Sequence, residues 1–460
     1  MRDNEACLRG NGVLHCRLLL ATTNPRYYQL FNPCSIMSHT DSFPTLRTDI
    51  AGVSVRELTE LAGSPVYVYD AAKMLERLAQ LAPFDVVRYA QKACSNLAIL
   101  DLLRRGGAVV DAVSAGEIRR ALAAGYTAQG DPPPIVYTAD IFDAESLDLV
   151  AEHGLHVNCG SPDMLAHLAE RVPGADVTLR LNPGFGHGHS QKTNTGGPQS
   201  KHGIWHEQLE ECLQAADRLG LSISGLHMHI GSGTDMEHLS QVVAAMENAA
   251  DQVGRTLTSI SAGGGLPTPY QAGDPEVDID AYYQLWDAMR TRLAEKVGHA
   301  ISLEIEPGRF LAAEAGYLVT EIRAIKQMGD NTFYLVDAGF NNLARPILYG
   351  AYHPMSIVPS DGATQRKSRS VVVGGPLCES GDIFTQEEGG FVASRDLPSA
   401  SVGELLVIEC AGAYGSVMGS NYNSKPLAGE ILIEDGLPHV IRQRQTFEDI
   451  VRGEVIPQRD

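Results

Sequence analysis

A lone lysine, Lys92, lies in the run YAQKACSN, between an apolar strand-like stretch and the start of a helix-like one. Most lysines are solvated surface residues, but partial burial at such a junction favours the free amine and hence imine chemistry. Three other groups carry reactive potential. His227-Met228-His229 sets two imidazoles two residues apart, Gly263-Gly264-Gly265 is a glycine run, and Glu306-Pro307-Gly308-Arg309 brings a carboxylate close to a guanidinium. Each also has a bland reading. The histidines could be a metal pair in a barrel hydrolase, although no acid-rich complement accompanies them. The glycines could form only a tight turn; at a helix N-terminus they would expose backbone N–H groups to a phosphate. Glu306 could be half of a structural ion pair with Arg309, or could keep a heteroaromatic ring nitrogen protonated.

The elements that must position these residues are legible in the pattern. Short β-branched runs at Val86–Tyr89, Val109–Val113, Ile135–Thr138, His156–Asn158, Val177–Leu181, Ile223–His229, Ser259–Ala262 and Ile301–Ile305 alternate with helix-like stretches such as Asn96–Arg105, Gly116–Ala124, Ala144–His153, Trp205–Leu219 and Tyr282–Val297. Eight such units fit a closed parallel barrel of about 250 residues better than an open doubly wound sheet. Reactive residues of such barrels gather at the C-terminal strand ends. Those ends carry Lys92, Ser114, Asn182, His229 to Ser232, Gly263 to Gly265, and Glu306 to Arg309. After Pro307–Gly308, strand-like runs at Tyr317–Ile325, Phe333–Asp337, Val371–Val373 and Leu405–Cys410 lack long helices between them, which predicts an all-β second domain. Residues 184–203, GFGHGHSQKTNTGGPQSKHG, form a long polar loop after the fifth strand; no metal is assigned to His187 or His189.

The expected architecture is therefore α/β plus all-β: a (β/α)8 barrel over 66–315 and a C-terminal β-domain over 316–460, with 37–65 packing against the β-domain. A chain of 460 residues needs more than one core. Its formal net charge of -20 opposes nucleic acid and anionic membranes as partners. No apolar run approaches the roughly 18 residues that span a bilayer. Eight cysteines without a CxxC point to a reducing cytoplasm. Residues 1–36 hold three of those cysteines (Cys7, Cys16, Cys34) and four arginines against two acids. They are expected to be a disordered extension or the product of a start placed too far upstream, with Met37 as the working start.

A lysine imine, a phosphate cradle, a flat partner for a ring and a carboxylate for its nitrogen are together what pyridoxal 5'-phosphate (PLP) requires. The motifs YAQKACSN, NPGFGHGHSQKTNTGG, SKHGIW, GLHMHIGSG, SAGGG, EIEPGRFL, VDAGF, RPILYG, GPLCESGD and GAYG follow in that order. In them the chain, from about residue 40 to 450, resembles the diaminopimelate decarboxylase family among the fold-type III PLP enzymes. EPGR and HIGSG are shared with ornithine and arginine decarboxylases; RPxxY, LCESGD and the long loop are specific to the diaminopimelate branch.

The resemblance implies that Lys92 bonds PLP, that His229 stacks on its ring, and that Ser232, Gly264, Gly265 and the Gly308–Arg309 backbone surround its phosphate. Glu306 would pair with the ring nitrogen, and Tyr414 would touch phosphate and substrate. Arg309, Arg345 and Tyr349 would grip the carboxylate of meso-diaminopimelate remote from the reacting carbon. Glu379 would bind the remote ammonium, and Cys378 would protonate the carbon after CO2 leaves. The last two would come from the partner subunit, implying an obligate homodimer. Asp111 and Arg180 are expected to point into the barrel mouth. A decarboxylase for ornithine, arginine or carboxynorspermidine would lack the second carboxylate clamp. A PLP-binding regulator would consist of the barrel alone.

Overall fold

Aliphatic strands buried on both faces must be covered on every side, the condition that selects an all-parallel sheet wrapped in helices. In a computed structural model, Val86–Ala90, Val109–Ala112, Ile135–Ala139, His156–Cys159, Asp176–Asn182, Ser222–Met228, Ser259–Ser261 and Ser302–Ile305 are parallel neighbours in chain order. The eighth pairs with the first and closes the barrel. All eight expected strands are present. The described residues are 43–459 apart from 187–193, 232–235, 272 and 275. The extension at 1–36, Ser232, His187 and His189 therefore lie outside them. Among the described residues no helix is long and apolar enough to cross a membrane.

Side chains that compete with the backbone start the covering helices. Asn96 Oδ1 accepts from Ala98 N–H ahead of Leu97–Arg105, and Ser114 Oγ accepts from Glu117 N–H ahead of Ala115–Ala123. Ser114, noted above at a strand end, thus acts as a helix cap. Two units depart from the expected pattern. The glycine run does not open a helix: the described residues among 266–277 carry none, in keeping with Pro267 and Pro269, and the next helix among the described residues is Ile279–Val297. The eighth strand leads only to the single turn Arg309–Ala312 before the chain enters the second domain.

That domain is a nine-stranded mixed sheet built around the long strand Gly316–Met328. Its neighbours are Asn331–Val336 and Leu405–Ile408 on the C-terminal side of the chain. Val66–Asp70 also belongs here, antiparallel to Gly316–Met328 and parallel to Gly429–Glu434. The barrel therefore starts beyond the expected 66: five residues inside the expected barrel range complete the second sheet. Residues 43–65 pack on that sheet too, through backbone hydrogen bonds of Arg47 and Thr45 with Ile357 and through buried Val55 and Leu58.

Inside the barrel, Glu304 on the eighth strand and Glu306 just past its end each meet a different partner. Glu304 receives Arg88 Nε at 3.1 Å and Nη2 at 3.0 Å, while Arg88 Nη1 donates to the Pro133 carbonyl at 2.8 Å. Arg88 is 1% exposed, so Glu304→Leu leaves a buried guanidinium without its counter-charge. We expect that variant to lose about 3–5 kcal/mol in urea unfolding, and Arg88→Met/Glu304→Leu to recover most of the loss. Equal losses in both variants would contradict this.

Candidate active site

The C-terminal strand ends and one loop of the second domain enclose a cavity lined by Lys92, His229, Gly264, Gly265, Glu306, Gly308, Arg309 and Tyr414, among others. Lys92 sits in a single 3-10 turn, Gln91–Ala93, directly after the first strand. The second domain is tied to that turn, because Tyr414 N–H donates to the Ala93 carbonyl at 2.8 Å. Tyr414 holds a left-handed φ of 56°, a cost that a non-glycine residue bears only where its surroundings impose it. On the opposite wall the backbone comes unusually close: a Cβ on Gly264 would lie 2.6 Å from the Glu306 carbonyl oxygen, and one on Gly308 would press on Ala90 at 3.2 Å. A side chain at Gly264 would therefore force the Glu306 backbone to move, and one at Gly308 would need Ala90 to give by a few tenths of an ångström.

Glu306 dominates the electrostatics. Its side chain is buried, and Oε2 stands 2.6 Å from His227 Nε2. Burial alone would push the carboxyl up; His227, with Arg88 and Arg180, overrides it and holds the group well below the usual carboxylate range. A carboxylate can only accept, so Nε2 carries the hydrogen. Glu306 Oε1 is buried without a hydrogen-bond partner among the described residues. The nearby Asp111 moves the other way, raised by burial and by the Glu306 charge. His229 is held well below the ordinary histidine value by burial and by Lys92 and Arg180. His227 thus directs Nε2 at a carboxylate.

Beside this cavity two buried guanidiniums flank one aromatic ring. Arg309 Nη1 donates to Tyr270 OH at 2.8 Å, and the Arg345 guanidinium carbon lies 4.8 Å from the Tyr270 ring centre. Arg309 also approaches the Tyr414 ring, at 5.0 Å. Arg345 opens the short helix Arg345–Tyr349, and Tyr349 OH lies near enough to Arg309 to favour its charge. Behind Arg345, Nη1 donates to His353 Nε2 at 2.9 Å, and His353 Nδ1 donates to the Glu409 carbonyl at 3.1 Å.

Sequence reasoning overlooked Tyr270 and His353. Tyr270 could have been noticed as the aromatic residue ending the loop GGGLPTPY; His353 has no sequence signal, since only folding brings it to Arg345. Cys378 and Glu379 are exposed and do not line the Lys92 cavity. Cys378 N–H donates to Asn423 Oδ1 at 2.8 Å. The long loop is fastened at its base by Asn182, whose Oδ1 accepts from Gly184 and Gly197 N–H. Thr195 Oγ1 fastens it further by donating to the His229 carbonyl.

A barrel with this mouth, followed by a β-domain, belongs to the pyridoxal-dependent decarboxylases, whose pyridoxal binding domain family matches residues 69–313. Within that class, the chain is 54% identical to the diaminopimelate decarboxylase of Streptomyces coelicolor over 86% of this chain and 90% of the relative. It is 52% identical to that of Escherichia coli K12 over 89% and 98%. A crystal structure of diaminopimelate decarboxylase superposes with a TM-score of 0.85 at 51% identity, covering 89% of this chain and 98% of that one. The Helicobacter pylori enzyme complexed with L-lysine gives 0.77 at 29% identity, covering 86% and 98%. The chain belongs to the diaminopimelate decarboxylase family.

The pair Arg345–His353 generates a pH prediction. His353 donates through Nδ1 and accepts through Nε2, so a proton on Nε2 would set two cations against each other. Burial and Arg345 hold it well below the ordinary histidine value. Above about pH 6.5 neither folded nor unfolded chain is protonated here; below it the unfolded chain takes up a proton that the folded chain refuses, and stability falls. His353→Gln keeps an acceptor for Arg345 and removes that proton. Urea midpoints measured from neutral to mildly acidic pH should fall less steeply in the variant, by up to about 1.4 kcal/mol per pH unit. Parallel curves would count against it.

Proposed function

We infer that the cavity binds PLP and that the paired guanidiniums beside it select the substrate. The chain is a pyridoxal-dependent carboxy-lyase that converts meso-2,6-diaminopimelate to L-lysine and CO2. Its residues fit the cofactor on one observation above all: the unpartnered Oε1 of buried Glu306, in the lining of a cavity that Lys92 and His229 share. Lys92 would hold PLP covalently, His229 would pack on the ring, and Gly264, Gly265, the Gly308–Arg309 backbone and Tyr414 would surround the phosphate. Ser232, outside the described residues, is proposed for the same cradle. Glu306 Oε1 would face the ring nitrogen. When bound, PLP supplies a cationic ring that accepts the electron pair left behind by CO2.

The protein's own groups then bind, orient and move protons. Arg309, Arg345 and Tyr349 hold the substrate carboxylate remote from the reacting carbon, and buried guanidiniums suit that planar anion. Glu379 receives the remote ammonium. Cys378 Sγ delivers the proton that replaces the lost carboxylate. Both residues are exposed on their own chain, which supports an obligate homodimer in which each subunit completes the other's site. The cytoplasm is the proposed compartment, supported by the five described cysteines, all free thiols.

The observation that carries the substrate assignment is buried Arg345, set against the Tyr270 ring on the short helix that it shares with Tyr349. A decarboxylase for ornithine or arginine has no second carboxylate to place there. Carbon dioxide release from meso-diaminopimelate, ornithine and arginine, with and without added PLP, tests this. Release from the first alone, stimulated by PLP, is expected; release from ornithine at an equal rate would overturn it.

The shared site is tested by complementation. Lys92→Ala and Cys378→Ala homodimers should each be nearly inactive. Coexpressed in equal amounts they should recover about a quarter of wild-type turnover, because half the dimers are mixed and each holds one intact site. No recovery would place Cys378 with its own chain's Lys92.

A further inference from the structure

We propose that His227 is a positioning residue for the reaction: its hydrogen bond to Glu306 Oε2 keeps that carboxylate ionised and turns Oε1 toward the cofactor. The proposal rests on the reading that Glu306 meets the ring nitrogen. The geometry is specific. His227 is on the sixth strand and Glu306 just past the end of the eighth; between them on the seventh strand, the register partner of His227 is Ser261, which is itself paired with Glu304. The small serine side chain lets the imidazole reach across one strand to a 2.6 Å contact. Both residues are buried, and His227 Nδ1 has no hydrogen-bond partner among the described residues, so the ring's hydrogen bonding there is directed at Glu306 alone.

The other charged groups around Glu306 cannot substitute. Arg88 is occupied by Glu304 and the Pro133 carbonyl, and Arg180 acts on Glu306 only through its charge. Asp111 opposes ionisation of Glu306. Lys92 and His229 line the cavity, where the cofactor would lie. Without His227, desolvation and Asp111 would favour the neutral acid, which can no longer stabilise a protonated ring nitrogen. The proton would then leave the ring, and the electron sink would weaken.

The test uses holoenzyme loaded with PLP carrying nitrogen-15 in its ring, in wild type, His227→Gln, His227→Leu and Glu306→Gln. The ring nitrogen of wild type should give the chemical shift of a protonated pyridine near neutral pH. His227→Gln, which retains an N–H donor, should keep that shift. His227→Leu should move it toward the unprotonated value. Its kcat should fall by roughly tenfold or more with KM within about twofold, and the acid limb of the kcat profile should move to higher pH by about one unit. The sign follows from the carboxyl: losing its donor raises its pKa, so the ionised form needs higher pH. Should His227→Leu fail to fold, His227→Asn, whose amide is too short to reach Glu306, is read in its place. If Glu306→Gln loses the protonated signal while His227→Leu or His227→Asn keeps it, the role of His227 is overturned. If Glu306→Gln itself keeps the signal, the underlying reading of Glu306 falls first.

Discussion

Keeping one carboxylate ionised where water cannot solvate it is the constraint on which the rest of this structure depends. An isolated buried carboxylate would neutralise itself by taking a proton. The barrel prevents this by surrounding Glu306 with a directed donor, His227, and two more distant guanidiniums, Arg88 and Arg180. Closure of the sheet is what makes the arrangement possible: it turns side chains of the sixth and eighth strands toward a common interior. The same closure separates two roles along the eighth strand and the residue just past it. Glu304, nearer the floor, is neutralised by Arg88 and holds the barrel together, whereas Glu306, at the mouth, keeps one oxygen available.

The second domain does more than cover the mouth. It inserts Tyr414 beside the lysine turn and supplies Arg345. A chain of hydrogen bonds then runs outward from the substrate side: Arg345 to His353, His353 to the Glu409 carbonyl, and Arg47 to the Glu409 carboxylate at 2.9 Å. The orientation of a buried guanidinium is thus linked to the N-terminal segment, which is itself hydrogen-bonded to Ile357 in the second sheet. This explains how an acidic protein can hold a local cationic pocket, since the arginines are fixed by neutral acceptors and aromatic faces.

The barrel was legible in the sequence because its signals are local. Most strands are short runs with buried aliphatic residues, and the helices after Asn96, Ser114, Asp143, Ser161 and Asp278 each have a side-chain cap, so eight units could be counted without knowing how they pair. The strand-end rule then identified Lys92, His229, Gly264, Gly265, Glu306, Gly308 and Arg309 as neighbours of one cavity. What escaped depends on distant pairing. Val66–Asp70 has the same apolar character as a barrel strand, and only its partners Gly316–Met328 and Gly429–Glu434 assign it elsewhere. Tyr270 and His353 acquire meaning only beside Arg345. For His227 a metal pair was only one alternative, and its carboxylate partner appears only once the fold sets it against Glu306. The proposed roles of Cys378 and Glu379 came from resemblance, and a single chain leaves both at its surface.

The most direct measurement is a crystal structure of the PLP-loaded protein. The ring nitrogen is expected within about 2.7–2.9 Å of Glu306 Oε1, with His227 Nε2 still bonded to Oε2. A ring nitrogen facing any other group, or a Glu306 side chain rotated away from His227 to meet it, would contradict these roles for Glu306 and His227.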